Sequence, residues 1–212
     1  MTSAAVVIGV NETGGLSPLG GALSGAEEFV EWSESQGIPS TLITDKEQPV
    51  TLTKIQDAVD SILEPRNCKK LIIYFAGHGF LLSPNVELWL LSKAPSRLQE
   101  AVNVQLSLSN ARYCGVEHVI FVSDACRSGG PTHQHRSVTG ASIFPPPVNY
   151  NFNGKLDVFY ATRPGDTALE YKDNEDAVGN YRGLFTEALL DALSGSEKTL
   201  SRSMPMMANN DG

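Results

Sequence analysis

Cysteine, basic charge and long apolar runs are all scarce in this sequence. Three scattered cysteines in 212 residues are too few for a disulfide framework. No apolar run approaches the roughly 20 residues that a membrane-spanning helix needs. Lys and Arg number 16 against 24 Asp and Glu, and the resulting net charge of −8 argues against a nucleic-acid or anionic-membrane surface. We therefore expect a cytoplasmic protein in a reducing setting, with no nucleic-acid or membrane partner. The negative net charge is compatible with a cationic substrate.

Short apolar runs alternate with amphipathic segments along the chain. The runs predict strands over residues 4–10, 38–44, 69–75, 117–122 and 156–161. Helical spacing predicts helices that begin near Ala22 and after an N-cap at Thr51, and two more over residues 106–113 and 184–193. Residues 80–91 predict a hairpin. This alternation indicates an α/β fold with a mostly parallel central sheet and helices on both faces.

The organisation predicted for the chain is one domain over residues 1–194. Residues 129–153 are polar and contain three consecutive prolines, so we expect a mobile loop that is a candidate for processing. Residues 195–212 show little periodicity and are expected to be a flexible tail or a truncated linker. The glycine pairs at 14–15 and 20–21 lack the spacing of a dinucleotide or phosphate loop, so turn and packing roles are favoured for them.

Two motifs carry the chemistry: YFAGHGF, which contains His78, and VSDACRSGG, which contains Cys126. Each follows a predicted buried strand, and the carboxyl ends of parallel strands are where reactive groups collect. A thiolate attacks carbonyl carbon, and a nearby imidazole both favours the thiolate and protonates the leaving amine. The backbone N–H groups of Gly79 and Cys126 are candidates for binding the oxyanion.

The paired motifs, separated by 126 − 78 = 48 residues, resemble those of the caspase and metacaspase superfamily of cysteine peptidases. The resemblance runs from Val6 to Leu193 and implies a three-layer caspase-like fold and an endopeptidase with a Cys126–His78 dyad. Caspases carry Gln two residues before the cysteine, whereas this chain carries Asp124, as metacaspases do. An acidic pocket attracts a cation, so we expect cleavage after Arg or Lys. Asp166 is the candidate for a second pocket carboxylate.

Further expectations follow from the same resemblance. Many relatives are held inactive until they are cleaved or bound by a partner, so an activating or inhibitory protein partner is a candidate here. Arg136 lies in the polar loop after Cys126, where zymogens of the family are often cut, and is the candidate cleavage site, with Arg182 and Lys172 as lesser ones. Several bacterial relatives act in immunity, including antiviral defence, or in programmed death. The chain departs from the metacaspase pattern at Ala76, where Ser is frequent, and at Gly25, where Asp is usual.

Calcium activates several metacaspases, and the dense acidic run here is Asp173, Glu175 and Asp176, for which a solvated loop is the favoured interpretation. We expect no cofactor and no metal. His133 and His135 could join Cys126 as metal ligands, although their spacing fits no standard zinc pattern.

Several residues, and the function itself, allow a second interpretation. Asp124 could cap a turn through its own backbone, and Glu12 is a weaker third pocket candidate. Cys68 and Cys114 are expected to be core residues. The chain could also be a catalytically silent scaffold that binds a partner, or a different thiol hydrolase or acyltransferase on the same sheet.

Overall fold

The central feature of the fold is a five-stranded parallel sheet. The computed structural model describes residues 2–129, 132–148, 151, 153–172 and 181–195. The sheet is formed by β1 (Ser3–Gly9), β2 (Ser40–Thr44), β3 (Lys70–Gly77), β7 (His118–Ala125) and β8 (Lys155–Tyr160). Their spatial order is β2-β1-β3-β7-β8, and every neighbouring pair is parallel. The predicted α/β class and the mostly parallel sheet are confirmed.

Helices cover both faces of this sheet. They are α1 (Gly21–Ser35), α2 (Leu52–Leu63), α3 (Val104–Ala111) and α4 (Leu184–Leu193). Side chains alternate between faces along a strand, so Val6 and Ile8 pack with α2 and α3, whereas Val7 packs with α1 and α4. Thr51 caps α2, as predicted, by accepting the Lys54 N–H at 3.4 Å. Among the described residues, no helix has both the length and the apolar character needed to cross a membrane.

Two small sheets lie beyond the central one. The predicted hairpin is confirmed as β4 (Gly79–Ser83) and β5 (Val86–Leu90), and β6 (Ala101–Asn103) extends it. A second antiparallel pair consists of β9 (Glu170–Lys172) and β10 (Tyr181–Gly183). Sequence patterning misses β6, β9 and β10 because three residues are too few to show a period.

The polar segment between β7 and β8 contributes to the core where it is described. Val138, Ile143 and Phe144 are buried, the last two in the cluster that faces α2 and α3. A short 3-10 helix, His135–Ser137, precedes Val138. The segment expected to be a mobile loop thus contains packed apolar residues, which stand singly or in pairs and show no period in the sequence. Its mobility and processing stay predictions.

Candidate active site

The register between β3 and β7 brings the two sequence motifs together. The last residue pair of these two strands is Gly77 and Ala125. His78 and Cys126 are the next residues after the two strands, so they lie next to each other at the end of the sheet. Both residues line one cavity of about 70 Å3. The motifs also touch directly, since a Cβ atom placed on Gly79 would lie 2.9 Å from both Ala125 Cβ and Cys126 O. Only glycine fits at this contact.

The hydrogen bond of His78 defines its tautomer. Its Nε2 lies 2.8 Å from the backbone oxygen of Ser17. A carbonyl oxygen only accepts hydrogen bonds, so Nε2 carries the proton and donates it. In the neutral ring Nδ1 is then the unprotonated nitrogen, available to receive a proton from a thiol.

The thiol of Cys126 is half-buried and accepts a hydrogen bond from the Ala168 N–H at 3.3 Å. Burial raises the pKa of Cys126, and the carboxylates of Asp124 and Glu170 raise it further, whereas the Ala168 contact opposes them. These effects favour the protonated thiol over the thiolate. Nucleophilic attack from this state requires a base, and His78 is the one beside it in the cavity.

The ladder between β4 and β5 leaves the Gly79 N–H pointing towards the Cys126 segment. The Leu90 N–H donates to His78 O at 2.8 Å, and pairs alternate along an antiparallel ladder, so Gly79 and Trp89 form a non-hydrogen-bonded pair. The other edge of β4 runs beside the chain after Cys126, where Leu81 N–H donates to Ser128 O at 2.8 Å. Gly79 can thus present its N–H to an oxyanion formed at Cys126.

Asp124 is almost fully buried at the end of β7 and lines the same cavity. The Thr186 hydroxyl donates to Asp124 Oδ2 at 2.5 Å, and the Thr186 backbone N–H donates to the same carboxylate. Burial raises the pKa of Asp124, the two Thr186 contacts lower it, and the charge of Glu170 raises it. The partner of Asp124 is thus helix α4, not the turn that follows Asp124 itself.

Glu170, which sequence reasoning missed, is the second carboxylate on the cavity wall. Its Oε1 and Oε2 accept the N–H groups of Gly21 at 3.0 Å and Gly20 at 3.2 Å, at the N-terminus of α1. The partial positive charge of a helix N-terminus stabilises such a carboxylate. Asp166, the expected second carboxylate, is exposed and does not belong to the cavity lining; its backbone oxygen accepts the Arg127 N–H at 2.9 Å.

A buried ionic network includes Arg127, the residue that follows Cys126 in the chain. Arg127 Nε donates to Glu87 Oε2 at 2.8 Å, and the guanidinium stacks 3.9 Å from the centre of the Tyr160 ring. Glu87 Oε1 accepts from Trp89 Nε1 at 3.0 Å and from Ser123 Oγ at 3.1 Å. Glu87 is fully buried, and its burial raises its pKa, whereas the Arg127 charge and the hydrogen bonds oppose the rise. This network anchors the residue that follows Cys126.

The comparison with protein families agrees with this geometry. The family model described as the caspase domain matches residues 2–210. The chain belongs to the caspase-domain family. A solved structure from Geobacter sulfurreducens has the same fold, with a TM-score of 0.64, 16% identity, and coverage of 92% of this chain and 83% of that one. No curated protein sequence matches the chain significantly.

Membership in the caspase-domain family supports a cysteine-peptidase-like function and a protein substrate. The remaining candidate residues from the sequence are not among the residues that line the cavity of His78 and Cys126. Burial lowers the pKa of His135, and the charge of His78, which is close enough to act on it, lowers it further. Arg136 is exposed within the 3-10 helix, and the Glu12 N–H is held by Asp45 Oδ2 at 2.7 Å. His133 is exposed whereas His135 is buried, and no cluster of three metal-ligating side chains exists among the described residues. The acidic run at residues 173–176 lies outside the described ranges.

Proposed function

We propose that this caspase domain is a cysteine endopeptidase that cleaves protein chains after Arg or Lys. In this mechanism Cys126 Sγ attacks the scissile carbonyl carbon while its proton passes to His78 Nδ1. The N–H groups of Gly79 and Cys126 bind the oxyanion. His78 then gives the proton to the leaving amine, and water hydrolyses the thioester with His78 as base.

The observation that carries the preference for basic residues is the pair of carboxylates on the dyad cavity. Asp124 and Glu170 both line the cavity that contains His78 and Cys126. A guanidinium or ammonium group would offset two like charges that stand close together, whereas a substrate carboxylate would be repelled. Cleavage after Asp is therefore disfavoured.

We also propose that the free chain is in a resting state that needs activation. The cavity of about 70 Å3 is small for a long basic side chain, and the Ala168 N–H is bonded to the thiol that must attack. Displacement of the segment around Ala168, by a partner protein or by processing, would widen the cavity and release the thiol. Processing at Arg136 requires the 3-10 helix to open, because peptidases bind extended chains.

Two fluorogenic peptides, one ending in Arg and one in Asp, test the proposal. They are assayed with and without calcium on the wild type and on Cys126→Ala, Asp124→Asn and Glu170→Gln. After limited proteolysis to relieve the proposed resting state, we expect cleavage of the Arg peptide by the wild type, none by Cys126→Ala, and a raised KM in both pocket variants. Cleavage of the Asp peptide would refute the pocket assignment while leaving the dyad intact.

Labelling of Cys126 by a peptide electrophile that carries Arg distinguishes a peptidase from a silent scaffold. Labelling without cleavage of any peptide would favour a different thiol hydrolase or an acyltransferase. No labelling after limited proteolysis of the chain, which would open the resting state, would favour the scaffold. Comparison of the intact mass of fresh protein with that of Cys126→Ala tests self-cleavage, and identical masses would contradict it.

A cellular role in immunity or programmed death is proposed from the family resemblance alone. Survival of cells that express the wild type or Cys126→Ala during phage challenge tests this role, and equal survival would contradict it.

A further inference from the structure

Three buried hydroxyl and carboxyl groups from different elements form one hydrogen-bonded chain beneath the cavity. Tyr74 on β3 lies 2.6 Å from Thr186 Oγ1 on α4, and Thr186 Oγ1 lies 2.5 Å from Asp124 Oδ2 on β7. Tyr74 is 0% exposed and Thr186 1%. An ionised carboxylate only accepts, so the Thr186 hydroxyl donates to Asp124, and the Tyr74 hydroxyl then donates to Thr186. The direction of the chain is thus determined.

Asp124 also performs the function of a helix cap for α4. The N-cap residue of α4 is Gly183, which has no side chain to accept an N–H group of the first turn. Thr186 is the third residue of this helix, and its backbone N–H donates to Asp124 instead. A Cβ atom on Gly183 would collide with Asp124 Oδ2. The carboxylate is therefore held between the Thr186 donors and the Gly183 backbone.

Tyr74 is itself held in place from the α1 side. Gly25 of α1 packs so closely that a Cβ atom there would lie 3.0 Å from the Tyr74 hydroxyl oxygen. The phenol is fully buried, and burial together with the Asp124 charge raises its pKa well above the ordinary value, so it stays a hydrogen-bond donor. The donor chain thus ends in a group that cannot reorient freely.

We infer that Thr186, supported by Tyr74, is the positioning residue of the specificity pocket: it holds the Asp124 carboxylate in the orientation that meets the cation of the substrate. This inference rests on the proposed function for the identity of the substrate, although the positioning itself does not. Loss of the Thr186 hydroxyl would leave the Thr186 backbone N–H as the remaining Thr186 donor to Asp124, so the carboxylate would be held less firmly and would lose a donor that favours its ionised form. Binding of a basic side chain would weaken as a result.

The matched variants are Thr186→Val, which preserves the shape of the side chain without the hydroxyl, and Thr186→Ser, which preserves the hydroxyl. With the Arg peptide we expect Thr186→Val to raise KM by about tenfold or more, since a hydrogen bond to a charged group is lost, while kcat changes less. The acidic limb of kcat/KM should move to higher pH. Thr186→Ser should behave as the wild type does.

A second measurement needs no peptidase activity. The pKa of Asp124 can be measured by carboxyl-carbon NMR, with the Asp124 signal assigned by its loss in Asp124→Asn. The titratable groups near Asp124 are Tyr74 on β3, Glu170 on β9, and His78 and Cys126 at the strand ends. The charge of Glu28 on α1 acts on Tyr74, and Glu28 is paired with Arg182 on β10 at 3.2 Å. We expect a higher pKa in Thr186→Val than in the wild type and a wild-type value in Thr186→Ser.

The two proposals fail in different ways. An unchanged Asp124 pKa in Thr186→Val would overturn the positioning role, whether or not the wild type cleaves peptides. A wild type that leaves the Arg peptide intact even after limited proteolysis, while the Asp124 pKa shifts as expected, would overturn the proposed function alone. If Thr186→Val does not fold, Tyr74→Phe should raise the Asp124 pKa by a smaller amount, and no rise there would equally refute the role.

Discussion

Removal of the Glu87 carboxylate should destabilise the fold and disturb the segment that carries Cys126. The Glu87 side chain is 0% exposed and the Arg127 side chain 12%, so neither charge can turn to water when its partner is lost. In Glu87→Ala, Arg127 keeps a buried charge without its carboxylate, and the donors of Trp89 and Ser123 lose their shared acceptor.

The size of the effect follows from this burial. Removal of one partner of a buried ion pair costs about 3–5 kcal/mol. For a chain of this length, 1 kcal/mol corresponds to about 2–4 °C in Tm. Glu87→Ala should therefore lower the Tm by about 6–20 °C. Glu87→Gln, which keeps an acceptor for Trp89 but not the charge, should lie between this variant and the wild type.

Thermal and urea unfolding measure the change, and an exposed ion pair is the matched control. Lys46 and Glu27 form such a pair, with side chains 64% and 44% exposed, so Glu27→Ala should cost less than about 1 kcal/mol. Alkylation of Cys126 by iodoacetamide, followed by peptide mass mapping, should become faster in Glu87→Ala because the cysteine segment is less ordered. A Glu87→Ala protein as stable as Glu27→Ala would refute the reasoning.

Two further predictions concern the dyad cavity. Gly79→Ala should lower cleavage of the Arg peptide by about a hundredfold or more, because its Cβ atom would push β4 and the oxyanion donor away from Cys126. Gly129→Ala, where a Cβ atom meets nothing within 4 Å, is its control, and equal activity of the two variants would contradict the contact. Asp124→Asn should speed alkylation of Cys126 at neutral pH, since removal of a nearby negative charge lowers the pKa of the thiol and raises the thiolate fraction. An unchanged or slower rate would show that the pocket charge does not restrain the nucleophile.

The central strands and the shared location of His78 and Cys126 were predictable because their signals are local. An apolar run that ends in small residues, as before His78 and Cys126, marks a buried strand and its exposed end within about ten residues. Parallel strands then bring such ends to one edge, so the sequence alone predicted that the two motifs lie near each other. The prediction that Asp124 is a pocket residue came from the resemblance of its motif to that of metacaspases.

The rest of the cavity depends on contacts between residues far apart in the chain. Glu170 reaches the N-terminus of α1 across 150 residues, and no motif surrounds it, so the sequence pointed instead to Asp166. Strand β9, which carries Glu170, is three residues long and shows no period.

The sequence by itself determined the α/β order of elements and the positions of His78 and Cys126, because periodicity and small-residue breaks are properties of neighbouring residues. Only the tertiary structure decided which groups surround them. Thr186 meets Asp124 across 62 residues and Glu87 meets Arg127 across 40. Such contacts arise when α4 and β5 pack against the sheet, and the charge and hydrogen bonding of the site follow from that packing.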